Sequence, residues 1–135
     1  AGLDAAPDHD RAWRERDFGE YRGLTRTAVA DRHPSYRPDS SLVALDRVPG
    51  GESRAAFATR VREGFEEFVG DLDDETAVVV THGGPVRVVL AAATGRDLAA
   101  LAAEFSPGNC GLTVLDVAEG GGSVVRRDDR THLEP

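Results

Sequence analysis

The sequence predicts an α/β fold, a three-layer α/β/α sandwich with a mainly parallel sheet and helices on both faces. Three observations predict it. Thr76 to Thr81 reads TAVVVT, a continuous run rich in β-branched residues, the pattern of a strand buried on both faces. His82-Gly83-Gly84-Pro85 breaks that run and opens a helix, as at the carboxyl end of a strand in a βα unit. Phe57, Val61, Phe65, Phe68 and Val69 fall on one face of a helix that precedes the run.

Each element follows from local chemistry. Residues 1–13 have no period and read as coil, with a short extended piece near Trp13. Leu24 to Val29 reads as a short helix, followed by a Pro- and Ser-rich loop from His33 to Ser41. Asp39 to Gly51 is irregular. Ser53 caps the long helix and Gly70 suits its end. Asp71 to Glu75 is an acidic turn. Pro85 fits the first position of the next helix, which runs to Gly95. Asp97 caps a further helix, Leu98 to Phe105. Gly111 to Val117 and Ser123 to Arg127 read as a hairpin across Gly120-Gly121-Gly122. The tail from Asp128 is polar.

Composition narrows the function classes. The chain has 135 residues, about one domain, with 40% hydrophobic and 30% charged residues. Its net charge of −8 argues against a general nucleic-acid partner, which needs a basic surface. No apolar run is long enough to span a membrane. The single cysteine, Cys110, excludes an internal disulfide framework and suits a reducing cytoplasm. After its turn, Cys110 reads as a small buried residue rather than a nucleophile.

Two segments could carry chemistry. In VVVTHGGPVR, residues 78–87, the Gly83 and Gly84 amides at a helix start form a candidate anion site, and His82 can donate to a phosphoryl oxygen. The alternative is a turn whose glycines only permit tight geometry. In WRERDFGEYRGL, residues 13–24, Glu15 lies between Arg14 and Arg16, near Trp13 and Phe18. A carboxyl group beside an apolar ring suits general acid–base work, and guanidiniums suit a phosphate. The alternative is an ordinary solvated charge cluster. No metal-ligand spacing links His82 to His9, Cys110 or His132, and no cofactor motif is present.

Taken in order, Arg14-Glu15-Arg16-Asp17-Phe18-Gly19-Glu20, Pro49-Gly50-Gly51-Glu52-Ser53 and Thr81-His82-Gly83-Gly84 closely resemble the histidine phosphatase superfamily, the phosphoglycerate mutase-like family. Arg130-Thr131-His132-Leu133 resembles that family's usual ending. The resemblance implies a phosphomonoester hydrolase working through a phosphohistidine on a small phosphorylated metabolite, without metal. Glu15 would match its general acid/base and His82 the second pocket histidine. The Gly83 amide would support His82, and Arg16 would touch substrate. Glu15 and Gly50 stand only 35 positions apart, which resembles the phosphatase branch rather than the mutases.

One departure stands out. The family opens on a strand ending in Arg-His-Gly, whose histidine is phosphorylated, and no such triplet occurs in these 135 residues. The expectation is therefore a single domain over residues 1–135 that is the C-terminal part of the fold, incomplete at its N-terminus. The resemblance places the absent strand centrally, beside Thr76–Thr81. The alternative function is a non-catalytic relic or a phosphate-binding module that keeps half of the pocket.

Overall fold

The computed structural model describes residues 6–73, 76–118 and 121–134. Among the described residues, four α-helices and one hairpin follow in order: α1 (Arg26–Arg32), α2 (Arg54–Gly70), α3 (Gly83–Thr94), α4 (Leu98–Glu104), β1 (Leu112–Ala118) and β2 (Gly121–Asp129). Single 3-10 turns lie at Arg11–Trp13, Gly19–Tyr21, Leu42–Ala44 and Thr131–Leu133.

The helix starts are set by side-chain oxygens. Thr25, Ser53 and Asp97 each accept from the backbone N–H three residues on, satisfying a donor that the helix itself leaves free. Gly95 ends α3 at φ +66°, a conformation that glycine reaches at no steric cost. Helix α3 begins at Gly83, so Pro85 is its third residue rather than its first. Its missing N–H is harmless at either position, because first-turn amides have no partner in the helix.

The packing follows the apolar faces. Phe57 and Val61 of α2 meet Val88 and Val89 of α3, with Val43 beneath them. Leu90 and Ala91 on the next face of α3 meet Leu101 of α4, and Leu115 of β1 packs against both groups. A separate cluster of Tyr21, Val29, Tyr36, Leu45 and Val48 closes the region before α2. Trp13 stands edge-on to Phe65 and Phe68, which ties the first 3-10 turn to the end of α2. Gly64 permits this approach, since a Cβ there would overlap that of Ala12.

The hairpin is antiparallel, pairing Leu115 with Val124 and Leu112 with Asp129. Its register shifts twice between Leu112 and Leu115. Asp128, at φ +52°, lies at this irregularity and accepts from the Gly108 amide at 2.9 Å, so the bulge closes the turn before β1. Gly120 of the expected hairpin tip, and residues 74 and 75 of the expected acidic turn, lie outside the described residues.

Two expectations need correction. Thr76–Thr81 forms no strand: Val78 is 69% and Val80 92% exposed. A strand is stabilised by the ladder and side chains of a neighbour, and none runs beside it among the described residues. The sheet observed there is the two-stranded antiparallel hairpin, within a mixed helix and strand architecture. Cys110 is exposed rather than buried, at φ +59° in the turn before β1. The turn that holds it, closed by the Gly111 amide on the Gly108 carbonyl, leads from α4 into β1 at the surface.

Candidate active site

Glu15 lies between two 3-10 turns, in a stretch whose backbone has no regular partner of its own. Its carboxylate is nonetheless held at both oxygens. Oε1 accepts from the Arg16 amide at 2.8 Å, and Oε2 accepts from the Gly84 amide at 3.0 Å. The second bond joins residues 69 positions apart and brings the two sequence-predicted segments together.

Gly84 explains the paired glycines. A Cβ at this position would overlap the Glu15 carboxylate and stand 3.0 Å from the Phe57 ring. The absence of a side chain is what lets the acid reach the start of α3. The contact sets the Glu15 carboxyl group against the N-terminal end of α3.

His82 is the residue before α3, extended at φ −106°, and its side chain is exposed and does not cap the helix. Pro85 has no N–H, and the Gly84 amide serves Glu15. The Gly83 amide is then the first-turn donor left without a partner among the described residues. An anion beside His82 would find an imidazole, an amide and a helix N-terminus at one place.

Arg16 stands elsewhere than expected. It is 2% exposed, and its guanidinium donates to the carbonyls of Leu42, Val43, Leu45, Asp46 and Glu52. Burial lowers its pKa, with the Glu52 carboxylate opposing that shift. Every donating nitrogen is engaged by main chain, which leaves no fork for a substrate phosphate. Arg16 is anchored inside the protein because a stretch of irregular backbone needs donors for its carbonyls.

Sequence reasoning missed Arg87 and Arg60. Arg87, one turn after Gly83 on α3, is 7% exposed and donates Nε to the Phe105 carbonyl at 2.7 Å. Burial lowers its pKa and the nearby Glu15 charge raises it. A charged residue on an otherwise apolar helix face was the available signal. Arg60 pairs through Nε and Nη2 with both carboxylate oxygens of Glu52, at 2.9 and 2.8 Å. That pairing, with burial opposing, holds the Glu52 carboxyl below its ordinary range.

His33 stands in a different place. His33 lines a cavity of about 370 Å³ with Tyr21, Arg47 and Ser53, whereas Glu15 and His82 do not line it. That cavity is thus separate from Glu15 and His82. Among the described residues, no three His, Cys, Asp or Glu side chains converge as a metal set requires.

A family model described as the histidine phosphatase superfamily (branch 1) matches residues 1–130. The bifunctional protein Rv2228c of Mycobacterium tuberculosis is 34% identical over 92 residues, 65% of this chain and 24% of that protein. Mycobacterial glucosyl-3-phosphoglycerate phosphatase Rv2419c, solved with inorganic phosphate, superposes with a TM-score of 0.71 at 26% identity, covering 89% of this chain and 63% of that one. Bacillus stearothermophilus YhfR superposes with a TM-score of 0.79 at 23% identity, over 93% and 62%. The likeness to YhfR concerns the fold. The chain spans about a quarter of the curated relative and under two-thirds of each of these two solved chains.

Proposed function

The chain belongs to the histidine phosphatase superfamily, and we propose on that premise that it supplies the acid–base and phosphoryl-holding half of a phosphomonoester hydrolase. The observation that carries this reading is the bond from the Gly84 amide to Glu15, which sets a carboxyl group two residues from His82 along the chain. Acid and phosphoryl holder come from distant segments and meet at one helix end.

In the reaction, a nucleophilic histidine outside these 135 residues attacks phosphorus, and the bond to the ester oxygen breaks. Protonated Glu15 gives its proton to the departing alkoxide. The ionised carboxylate then takes a proton from water as that water attacks the phosphohistidine, releasing phosphate and restoring both groups. His82 and the Gly83 amide donate to the phosphoryl oxygens as charge spreads over them. Arg16 serves by anchoring the segment that carries Glu15 to the carbonyls of Leu42, Val43, Leu45, Asp46 and Glu52. The substrate class is a small phosphomonoester, and glucosyl-3-phosphoglycerate, named for the mycobacterial neighbour, is the first to assay.

The same reading extends to the fold. Thr76–Thr81 becomes a strand of a parallel sheet within a three-layer sandwich when the strand bearing the nucleophile lies beside it. Exposed Val78 and Val80, and the outward Leu112, Val114 and Val125 of the hairpin, support a further layer over this surface.

The test is Glu15→Gln in the whole protein, assayed on an alkyl phosphate and an activated aryl phosphate. Loss of the proton donor should slow the alkyl ester about 10²–10⁴-fold and the aryl ester less, since its leaving group needs less protonation. Unchanged alkyl turnover refutes the acid assignment. Residues 1–135 alone should release no phosphate from p-nitrophenyl phosphate, because in-line transfer requires the nucleophile.

A further inference from the structure

Residues 11–14 lead directly to Glu15, and their backbone is held by side chains from remote parts of the chain. Arg60, on α2, donates Nη1 to the carbonyls of Arg11, Ala12 and Arg14, at 3.1, 2.9 and 3.0 Å. The remaining carbonyl, that of Trp13, accepts from the Thr81 hydroxyl at 2.5 Å. Four consecutive carbonyls are therefore gripped from 46 to 68 positions away.

Arg60 is itself fixed by Glu52 and Phe57, and Glu52 in turn reaches Asp17. Its other nitrogens pair with Glu52, its guanidinium lies 5.4 Å from the centre of the Phe57 ring, and Glu52 also accepts from the Asp17 amide at 3.4 Å. The grip thus reaches both sides of Glu15. Thr81 is the residue before His82, so its hydroxyl ties the backbone of the acid segment to the backbone that carries the other half of the site.

We infer that Arg60 and Thr81 are positioning residues for Glu15: by holding the carbonyls of residues 11–14 they fix where its carboxyl group stands relative to the His82 turn. This rests on the proposed role of Glu15 as proton donor. A general acid works only within hydrogen-bond reach of the leaving oxygen, and a displacement of about 1 Å costs on the order of 10²-fold in rate. A lysine at position 60 keeps the charge but cannot serve three carbonyls and a two-point carboxylate pair together.

The experiment compares Arg60→Lys, Thr81→Ala, Thr81→Ser and Glu15→Gln in the whole protein. Turnover is read on an alkyl and an activated aryl phosphate. Hydrogen exchange is read at the Arg16 and Gly84 amides, the two donors to Glu15. Arg60→Lys and Thr81→Ala should lower alkyl-ester kcat by about 10-fold or more and aryl-ester kcat by less than about 3-fold, the selectivity of a misplaced acid. Gly84 exchange should quicken in both, and Thr81→Ser should restore both readouts. If Glu15→Gln shows the selectivity while Arg60→Lys and Thr81→Ala slow both esters equally with Gly84 exchange unchanged, the positioning role is overturned. If Glu15→Gln leaves the alkyl ester untouched, the acid assignment fails by itself. Exchange then decides the positioning role: faster at Gly84 upholds it, unchanged refutes it. Should Arg60→Lys fail to fold, the Thr81 pair carries the same decision.

Discussion

Segments 11–17 and 76–81 touch through one hydrogen bond, from Thr81 to Trp13, yet they meet opposite circumstances. The first is polar and irregular, and its carbonyls are matched by Arg60 and Thr81 while Arg16 runs inward from it. The second is built from strand-forming residues, and Val78 and Val80 face solvent. Irregular backbone becomes rigid when side chains satisfy it. A strand-forming sequence stays bare when no neighbour pairs with it. Intrinsic preference is the weaker influence in both places.

The comparison breaks most severely at the end of the second segment. His82→Ala in the whole protein should lower hydrolysis about 10²–10³-fold, the scale for one lost transition-state donor. It should also weaken vanadate binding, read by titration calorimetry. Unchanged vanadate affinity would return the His82 turn to a purely structural role.

The next effect falls on the first segment. Glu52→Gln removes one partner of a largely buried pair and should cost about 3 kcal/mol near neutral pH, measured by urea unfolding. The pH dependence has a definite sign. The folded carboxyl titrates below its ordinary value of 4.5, so its stabilisation is complete above that value. It is lost as pH falls from there through the folded pKa. The substituted protein should lack that acid-side loss, and parallel pH profiles for the two proteins would show that the pair does not stabilise the fold.

A smaller effect is expected where the two segments converge. Gly84→Ala drives a methyl group into the Glu15 carboxylate and against Phe57, which should cost about 1–3 kcal/mol and displace the acid. Thermal unfolding and alkyl-ester turnover should fall together. Gly83→Ala is the control for stability alone, because a Cβ there approaches Arg87 only to 3.5 Å.

The smallest effect sharpens the contrast. Val80→Thr in residues 1–135 alone should change stability by less than about 0.5 kcal/mol, as at other exposed positions. In the whole protein, where we propose a neighbouring strand, the same change should cost about 1–3 kcal/mol through lost burial. Equal values in the two settings would mean that nothing covers Val80.

What the sequence determined by itself was local. Ser53, Asp97 and Gly95 mark helix ends because capping involves residues three or four apart, and the periodic apolar face of α2 needs no distant partner to be recognised. The ordered motifs around Glu15, Gly50 and His82 were legible for a different reason: each alone left a purely structural alternative open, and together they resemble the histidine phosphatase superfamily, whose model matches residues 1–130. Only the tertiary structure decided which charges work together. It put Arg16 inside, where a sequence shows only one of several arginines, and closed Glu15 onto Gly84 across 69 positions. It also left TAVVVT unpaired and turned Cys110 outward. Each of these depends on which backbone donors and acceptors find partners, and those partners lie far along the chain or in another strand.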